Sequence, residues 1–561
     1  MAEYFISTSR YNGTPDGSQS RPFRSLIEAQ QATGYQGYWL SDNTFRLWAD
    51  DTFDDRINLG DAASLGSNFV IEPWTDITNA SKRPIMTRAI RNLNWTFDNT
   101  NGVWVSDALG NIRYGGCILE DGEPLDWAVW QTNRATTTAT MVAGQATYDN
   151  QTLQYLIKPR SGTPANHIYA ACAGISQIRL SRASRFRISA IEFQLSSQGV
   201  SIGAGGSGRS RGGWSIEDCE FAYMGGSVDV VNGTTLGNGL GISNNINEFG
   251  TSYVKRCVYR DIFDSGVSPQ QWENTIVENG TPYLTVIQDI EFIDNIAERC
   301  GLAGYEVSLT SQSGTFTNLI ERVNIRKSIA RLCGYGWSGN RYGSTANGFT
   351  YLTNDSSPNS IVKDCVMDRC EAYNNVGKAY CLYHTSGNIE LFRSSARNCS
   401  VGIMQTSRVN FGQPVSHKVY DNLIETCGTG LEFGSFESGK SGSVLLARNN
   451  FVNSCAIGIN NRTVAGEASV AEYNTIINCG TGVRNVGLGT FTKNKNSLYG
   501  NTTNYSGTTQ GTDILLTTLP TVDANDYGLI STNVASYYFN KDDTTTSIRN
   551  GFTWEAAANV Y

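Results

Sequence analysis

A short pattern that recurs through the second half of the chain constrains its fold more than any other feature. The pattern is Asn, two apolar residues, two variable residues, Cys, Gly, a variable residue and Gly, and it is clearest from Asn422, Asn450 and Asn474. Related copies begin at Asn295, Ser328 and Ser394, and weaker ones at Cys219, Cys257 and Cys365. Successive copies start 24 to 38 residues apart. Intervals of this length indicate a solenoid, a propeller or another repeat array.

The residues within each copy favour one kind of array. Helical repeats need apolar residues at i, i+3, i+4 and i+7, whereas these copies contain short β-branched runs interrupted by Gly and Asn. A propeller blade needs about 40 residues or more for its four strands. The shortest intervals between copies of the pattern are well below that length, so they exclude a propeller. We therefore predict an all-β solenoid, a right-handed parallel β-helix, with about ten or more coils between residues 175 and 500.

Stacked coils place equivalent residues in ladders with a spacing of about 4.8 Å. We expect the asparagines to form one ladder at a turn, with amide hydrogen bonds from coil to coil. We expect the cysteines to form a second ladder, buried and reduced, because small apolar thiols suit a tight stack. Its predicted members are Cys300, Cys333, Cys370, Cys399, Cys427, Cys455 and Cys479. With only three histidines in the chain, neither a metal site nor a cofactor is predicted.

Charge and hydropathy narrow the range of partners. Charged residues make up 17% of the chain, the net charge is −8, and no Lys/Arg-rich run is present, so nucleic acid is not an expected partner. No apolar run reaches the twenty or so residues of a membrane span, and membrane insertion is not expected.

The N-terminus lacks the pattern of a signal peptide. The alternatives are a cytoplasmic chain, release inside a virus particle, or a secreted chain whose signal has been removed.

The order of these features predicts five regions. Residues 1–35 would hold an N-terminal strand and a capping helix over Leu26–Ala32, with Ser25 as its N-cap. Residues 36–91 would form the first coils, 92–172 a small Trp-rich antiparallel β insertion, 173–500 the main parallel β-helix, and 501–561 a C-terminal closing segment. Seven of the eleven tryptophans precede residue 131. We interpret them as core residues in preference to stacking platforms for sugar rings.

Three segments resemble a known superfamily. The N-terminal one carries a strand, an Asp-Gly turn and a Pro-Phe-x-Ser-Leu-x-x-Ala motif, at Tyr4, Ser7, Asp16, Gly17, Pro22, Phe23, Ser25, Leu26 and Ala29. Residues 146–168 look like the small β insertion of the same proteins, and 526–531 like their closing segment. The chain thus resembles the pectate-lyase-like right-handed parallel β-helix superfamily, and most of all the phage tailspike polysaccharide depolymerases. That fold hosts lyases, hydrolases, epimerases and tailspikes, so the resemblance leaves the reaction type open.

Asp229 and Glu306 are the candidate catalytic residues. Aligning the strand after each turn glycine points both side chains outward in one column, two coils or about 9.6 Å apart along the axis. Inverting glycosidases hold their acid and base about 6.5–9.5 Å apart. The same alignment puts Ser268, Ser338, Lys378 or Tyr380, Met404, Glu432, Asn460 and Arg484 in this column.

The longer coils between Cys219 and Cys365 carry loops, and loops on a rigid scaffold are where binding concentrates. The candidate substrate-binding residues, from these loops and the coil that follows, are Asp264, Glu273, Trp337, Arg341, Tyr342, Lys378, Tyr380 and His384. Four of them, Arg341, Lys378, Tyr380 and His384, would also suit a lyase, which needs a base and groups that neutralise a uronate.

The resemblance implies a depolymerase that binds and cleaves a bacterial surface polysaccharide, such as capsule, exopolysaccharide or O-antigen. It also implies a homotrimer on a virion tail, with other tail proteins as possible partners, or otherwise an extracellular protein. The carboxylate pair slightly favours glycoside hydrolysis. A bacterial polysaccharide lyase acting by β-elimination and a non-catalytic glycan-binding adhesin are the alternatives.

Overall fold

The structure is a computed structural model of the chain. It describes residues 2–10, 13–32, 42–59, 68–76, 78–109, 115–172, 176–203, 209–225, 227–229, 234–271, 276–278, 281–283, 286–309, 318–337, 345–353, 360–383, 387–407, 414–434 and 442–517.

Three long parallel sheets dominate this part of the chain, and in most coils the chain visits them in turn, with one strand in each. The first sheet contains Ala2–Ile6, Asn43–Trp48, Val70–Trp74, Arg187–Ser189, Ser215–Glu217, Ser252–Lys255, Val286–Ile293, Leu319–Arg326, Ile361–Lys363, Cys365–Asp368, Asn388–Phe392, Ser416–Tyr420, Val444–Arg448, Ala468–Glu472 and Thr490–Asn494. The second contains Thr52–Phe53, Ile85–Thr87, Glu192–Gln194, Glu220–Ala222, Val258–Arg260, Ile296–Glu298, Ile329–Arg331, Glu371–Tyr373, Ser395–Arg397, Leu423–Glu425, Phe451–Asn453, Thr475–Ile477, Ser497–Tyr499 and Ile514–Leu515. The third contains Ile57–Leu59, Ile178–Leu180, Val200–Ile202, Leu240–Ile242, Ser265–Gln271, Ala303–Leu309, Asn347–Thr353, Lys378–Tyr383, Val401–Thr406, Thr429–Phe433, Ile457–Asn461, Thr481–Asn485 and Thr503–Ser506. This topology confirms the predicted parallel β-helix, and eleven strands of the third sheet lie between residues 175 and 500.

Two smaller sheets interrupt the early coils. One contains Trp95–Asp98, Val103–Ser106, Asp126–Trp127, Gln145–Asp149 and Gln154–Lys158, and its pairs are antiparallel except Asp126–Trp127 with Gln145–Asp149. The other contains Ala89–Ile90, Ile118–Glu120, Glu123–Pro124 and Tyr169–Cys172. The α-helices within the described ranges are Leu26–Ala32 and Arg134–Thr140, with a 3₁₀ turn at Pro164–Asn166. No helix among the described residues is long and apolar enough to cross a membrane.

The asparagine ladder stands at the corner between the first and second sheets. The Nδ2 of Asn422 donates to Oδ1 of Asn450 at 2.9 Å, Asn450 donates in the same way to Asn474, and Asn474 to Asn496. Each corner turns through a single residue with positive φ, such as Asp421 at 57°. A short polar side chain tolerates that conformation, as at Asp421 and Asn449, whereas Tyr473 and Lys495 adopt it before Asn474 and Asn496 without that advantage.

The cysteine ladder stands at the corner between the second and third sheets. Cys427, Cys455 and Cys479 form no disulfide, and each is at most 3% exposed, which confirms the prediction that they are buried. The assignment of Cys370 to this ladder is wrong. Cys370 lies on the asparagine ladder, where its N–H donates to Ser394 Oγ, and Asn375 Oδ1 accepts from the N–H of Cys333.

A histidine ring lies inside the coils. His417 pairs in register with Ile389 and Leu445 and is completely buried. Burial lowers the pKa of this imidazole to about 3, because a low-dielectric interior disfavours the charged form. His417 is therefore neutral in the folded protein, whereas it titrates near pH 6.5 in an unfolded chain.

The stability of the protein should therefore fall with acid partly through His417. As the pH drops below about 6.5, the unfolded state binds a proton that the folded state refuses until about pH 3, so the contribution is present above pH 6.5 and is lost towards pH 3. Between pH 7 and pH 5 this amounts to about 2 kcal/mol. Leucine matches the apolar neighbours of His417. We therefore expect the unfolding free energy of His417→Leu to fall by about 2 kcal/mol less than that of the parent over this interval, measured in urea titrations. An equal loss in both proteins would contradict this role of His417.

Candidate active site on the third sheet

The predicted outward column of the third sheet exists, and its register is now fixed. Paired residues run Glu306, Thr350, Cys381, Met404, Glu432, Asn460 and Arg484. The predicted places of Glu306, Met404, Glu432, Asn460 and Arg484 are confirmed. Thr350 and Cys381 stand where Ser338 and either Lys378 or Tyr380 were predicted.

The alignment of Asp229 with Glu306 is wrong. Ser227–Asp229 pairs antiparallel with Thr234–Leu236 in a separate hairpin. The third-sheet strand of that coil is Leu240–Ile242, and Gly241 stands beside Ser268. The extra residues of this long coil form the hairpin, which removes Asp229 from the column.

Tyr380 is also misplaced by the sequence alignment. Its side chain points into the coil and is completely buried. Its ring stacks on Phe349 at 5.2 Å, and Phe349 stacks on Tyr305 at 4.8 Å. The hydroxyl lies 2.7 Å from the Cys370 carbonyl oxygen. Tyr380 therefore belongs to the core and is not a substrate-binding residue.

Trp337 is a packing residue where the sequence predicted a substrate contact. It is 3% exposed, its indole Nε1 donates to the Asp261 carbonyl at 2.8 Å, and its own carbonyl accepts from the N–H of Trp127 at 2.7 Å. The rings of Trp127, Phe263 and Trp337 lie within 6 Å of one another, between 5.2 and 5.9 Å. Trp337 thus joins the early β insertion to the coils.

Glu306 is a buried carboxyl on the outward side of the third sheet. It is 6% exposed. Ser265 Oγ donates to Oε2 at 2.7 Å and Ser308 Oγ donates to Oε1 at 3.2 Å. Burial raises the pKa of the Glu306 carboxyl, against the opposing effect of the two hydroxyls. A carboxyl with a raised pKa retains its proton at a higher pH than an ordinary glutamate.

Other buried polar residues lie on or next to the adjacent strand of the third sheet. Ser268 Oγ and Gln270 Oε1 are 3.0 Å apart on the adjacent strand, and both residues are buried. Asp264 immediately precedes Ser265 and is 3% exposed. Its N–H donates to the Gly237 carbonyl and its carbonyl accepts from Leu302 N–H, which fix its backbone between neighbouring coils. Buried polar residues on two neighbouring strands of the third sheet thus accompany Glu306.

The remaining predicted residues are placed as follows. Lys378 is half-buried at the start of its strand, with its N–H donating to Asn347 Oδ1 at 3.0 Å. Glu273, Arg341, Tyr342 and His384 lie outside the described residues. Ser265 and Ser308 were not among the residues predicted from the sequence. Strand alternation could have found Ser308, because it faces the same side as Glu306 two residues earlier.

Glu120, Asp121 and His167 form the one group of potential metal ligands within the described ranges. His167 Nδ1 is 2.7 Å from Asp121 Oδ2 and its Nε2 is 2.7 Å from the Ser161 carbonyl oxygen. These two contacts raise the pKa of His167. Because both ring nitrogens face acceptor oxygens, the arrangement suits an imidazolium that donates twice better than a metal ligand.

No family model matches the chain, and no curated protein matches it. A solved glycoside hydrolase is similar to it at 11% identity and a TM-score of 0.40, covering 88% of this chain and 96% of that one. A complex of XylC with xylose has 10% identity, a TM-score of 0.41 and coverages of 93% and 88%. The tailspike protein gp49 from Pseudomonas phage LKA1 has 11% identity, a TM-score of 0.20 and coverages of 84% and 70%. At these values the similarity carries no argument about function.

Proposed function

We propose that the chain binds a bacterial surface polysaccharide at the outward face of the third sheet and hydrolyses it, with Glu306 as the proton donor. The observation that carries the proposal is the buried, serine-bound Glu306 carboxyl with its raised pKa. Carboxyls whose pKa is raised by burial are suited to general acid catalysis, and groups with perturbed pKa values concentrate at functional sites.

The reaction balances with two carboxyl groups. Glu306 gives its proton to the glycosidic oxygen as the bond from that oxygen to the anomeric carbon breaks. A second carboxylate takes a proton from a water molecule, whose oxygen bonds to the anomeric carbon. The hydroxyls of Ser265 and Ser308 then stabilise the Glu306 carboxylate by donating to both of its oxygens.

Asp264 is our first candidate for the second carboxylate. It is buried, and the next residue, Ser265, contacts Glu306 directly. Asp229 is the alternative, because its hairpin precedes the strand Leu240–Ile242 of the third sheet. Lys378, Glu273, Arg341, Tyr342 and His384 are proposed to hold the substrate.

We place the protein, within this proposal, among phage tailspikes that act as homotrimers on a virion tail. The parallel β-helix, the acidic composition and the N-terminal motif around Asp16, Gly17 and Phe23 support this assignment. An extracellular bacterial enzyme with the same chemistry is the alternative location.

Separate substitution of the two aspartates tests the proposed pairing. We expect Asp264→Asn to lower the cleavage rate by roughly 10²–10⁴-fold and Asp229→Asn to leave it within a few fold. We also expect the parental rate to fall as the pH rises through the elevated pKa of Glu306, because the acid form is lost. Rates of reducing-end release against pH provide the measurement. Equal rates for Asp264→Asn and the parent would exclude Asp264, and loss only in Asp229→Asn would assign the role to the hairpin.

A further inference from the structure

A groove of about 540 Å³ lies on the outward face of the second sheet, over its early coils. A row of four residues from four successive strands, paired in register, lines it: Ile85, Glu192, Glu220 and Val258. The rest of the lining comes from two turns, at Ala49, Asp50, Ser81, Lys82 and Arg83. The volume lies within the range of small-ligand sites in proteins.

Oppositely charged side chains balance one another in this groove. Arg83 Nη1 is 3.6 Å from Glu220 Oε2, and Lys82 Nζ is 2.5 Å from Asp50 Oδ1. Arg260, on the Val258 strand, pairs with Glu220 and lies 3.9 Å from Glu192. The three carboxylates of the lining therefore meet two cations of the lining, Lys82 and Arg83, and a third cation, Arg260, beside it. The contacts of 3.6 and 3.9 Å are too long for good hydrogen bonds. Arg83 therefore retains donor capacity and Glu220 Oε2 acceptor capacity for a ligand, whereas Glu192 Oε1 already accepts from Gln194 Nε2.

This balance selects the chemical class of the ligand. An anionic sugar would face Asp50, Glu192 and Glu220, and a metal cation would face Lys82, Arg83 and Arg260. A neutral saccharide can donate its hydroxyls to the carboxylates and accept from the cations. Its apolar ring face can cover Ile85 and Val258, which are partly exposed on the groove floor.

We infer that this groove binds a neutral segment of a saccharide, at a place distinct from Glu306. Val258 belongs to the same coil as Ser265, one on the second sheet and one on the third. The groove therefore begins on the coil that supplies a partner of Glu306 and extends over strands earlier in the sheet. The choice of a saccharide rests on the proposed function, and the neutral character rests on the charges of the groove.

Calorimetric titration of the full chain carrying Glu306→Gln tests the inference without cleavage of the ligand. The probes are neutral oligomers of glucose, galactose, mannose and N-acetylglucosamine, with oligogalacturonate as the anionic comparison. We expect at least one neutral series to bind. Ser81→Trp, at an exposed turn position, should obstruct the groove, and Glu192→Gln should remove a charged acceptor. Each should weaken binding by about tenfold or more.

Glu371→Gln is the matched control, because Glu371 occupies the same row three strands beyond Val258. It should bind as the parent does. Absence of binding in every neutral series, neutral binding unaffected by Ser81→Trp, or groove-dependent binding of oligogalacturonate alone would each overturn the inference. Cleavage by the Glu306→Gln protein would instead overturn the proposed catalytic role, whatever the titrations give.

Discussion

Glu306→Gln should lower the rate of polysaccharide cleavage by roughly 10²–10⁴-fold, because it removes the transferable proton of a general acid. The substitution keeps the shape of the side chain. The hydroxyls of Ser265 and Ser308, which now donate to the carboxyl, can donate to the amide oxygen and accept from the amide nitrogen. The fold and the binding of glycan should therefore persist. Reducing-end release and thermal unfolding, measured on the same preparations, give the two readouts.

Glu432→Gln is the control for this experiment. Glu432 lies in the same outward column, is 9% exposed, and accepts from Asn460 Nδ2 at 3.0 Å. It is four strands from Glu306, or about 19 Å along the axis. We expect it to cleave at the parental rate. If both variants keep that rate, catalysis does not depend on Glu306. If both variants lose thermal stability, the outward face of the third sheet serves to stabilise the fold.

Asn450→Ala should destabilise the protein by about 3–6 kcal/mol, the largest effect on stability that we expect from one substitution. Asn450 donates to the Val419 carbonyl at 3.0 Å and to Asn474 at 2.9 Å, and it accepts from both the side chain and the N–H of Asn422. The alanine variant leaves these groups buried without their partner. Each buried unsatisfied group costs about 1–3 kcal/mol.

The comparison variant is Asn453→Ala, three residues further along the same coil. Asn453 is half-buried, and its Nδ2 donates to Glu425 Oε1 over a long distance of 3.3 Å. Because water can replace its partners, the loss should be about 1 kcal/mol or less. Urea unfolding at neutral pH measures both variants. Equal losses would show that the asparagine ladder does not stabilise the coils in the way its geometry indicates.

The sequence predicts the architecture because the fold repeats. Each copy of the pattern must satisfy the same corner, so Asn422, Asn450 and Asn474 reveal by their spacing a geometry that no single copy would show. The error at Cys370 shows the limit of this reasoning. Alignment by residue type placed Cys370 beside Cys333. Strand pairing, which sets the register, instead places Asn375 beside Cys333.

The site was harder to predict than the fold. Asp229 left the column because the surplus residues of a long coil formed a hairpin, and local sequence does not say which part of a long coil pairs. The alternation of the strand predicted that Glu306 faces outward, but not its burial. Trp337 was misjudged because its partners, Trp127 and Phe263, lie far away in sequence.

The mass of the products that the parental protein releases from a panel of bacterial surface polysaccharides is the most direct test of the central claim. We predict oligosaccharides that carry one added water per broken bond, from at least one polymer, and their absence when Glu306→Gln replaces the parent. Products that lack the added water would show elimination. Polymers left intact across the panel, with glycan binding retained, would show a binding protein and contradict the proposed hydrolysis.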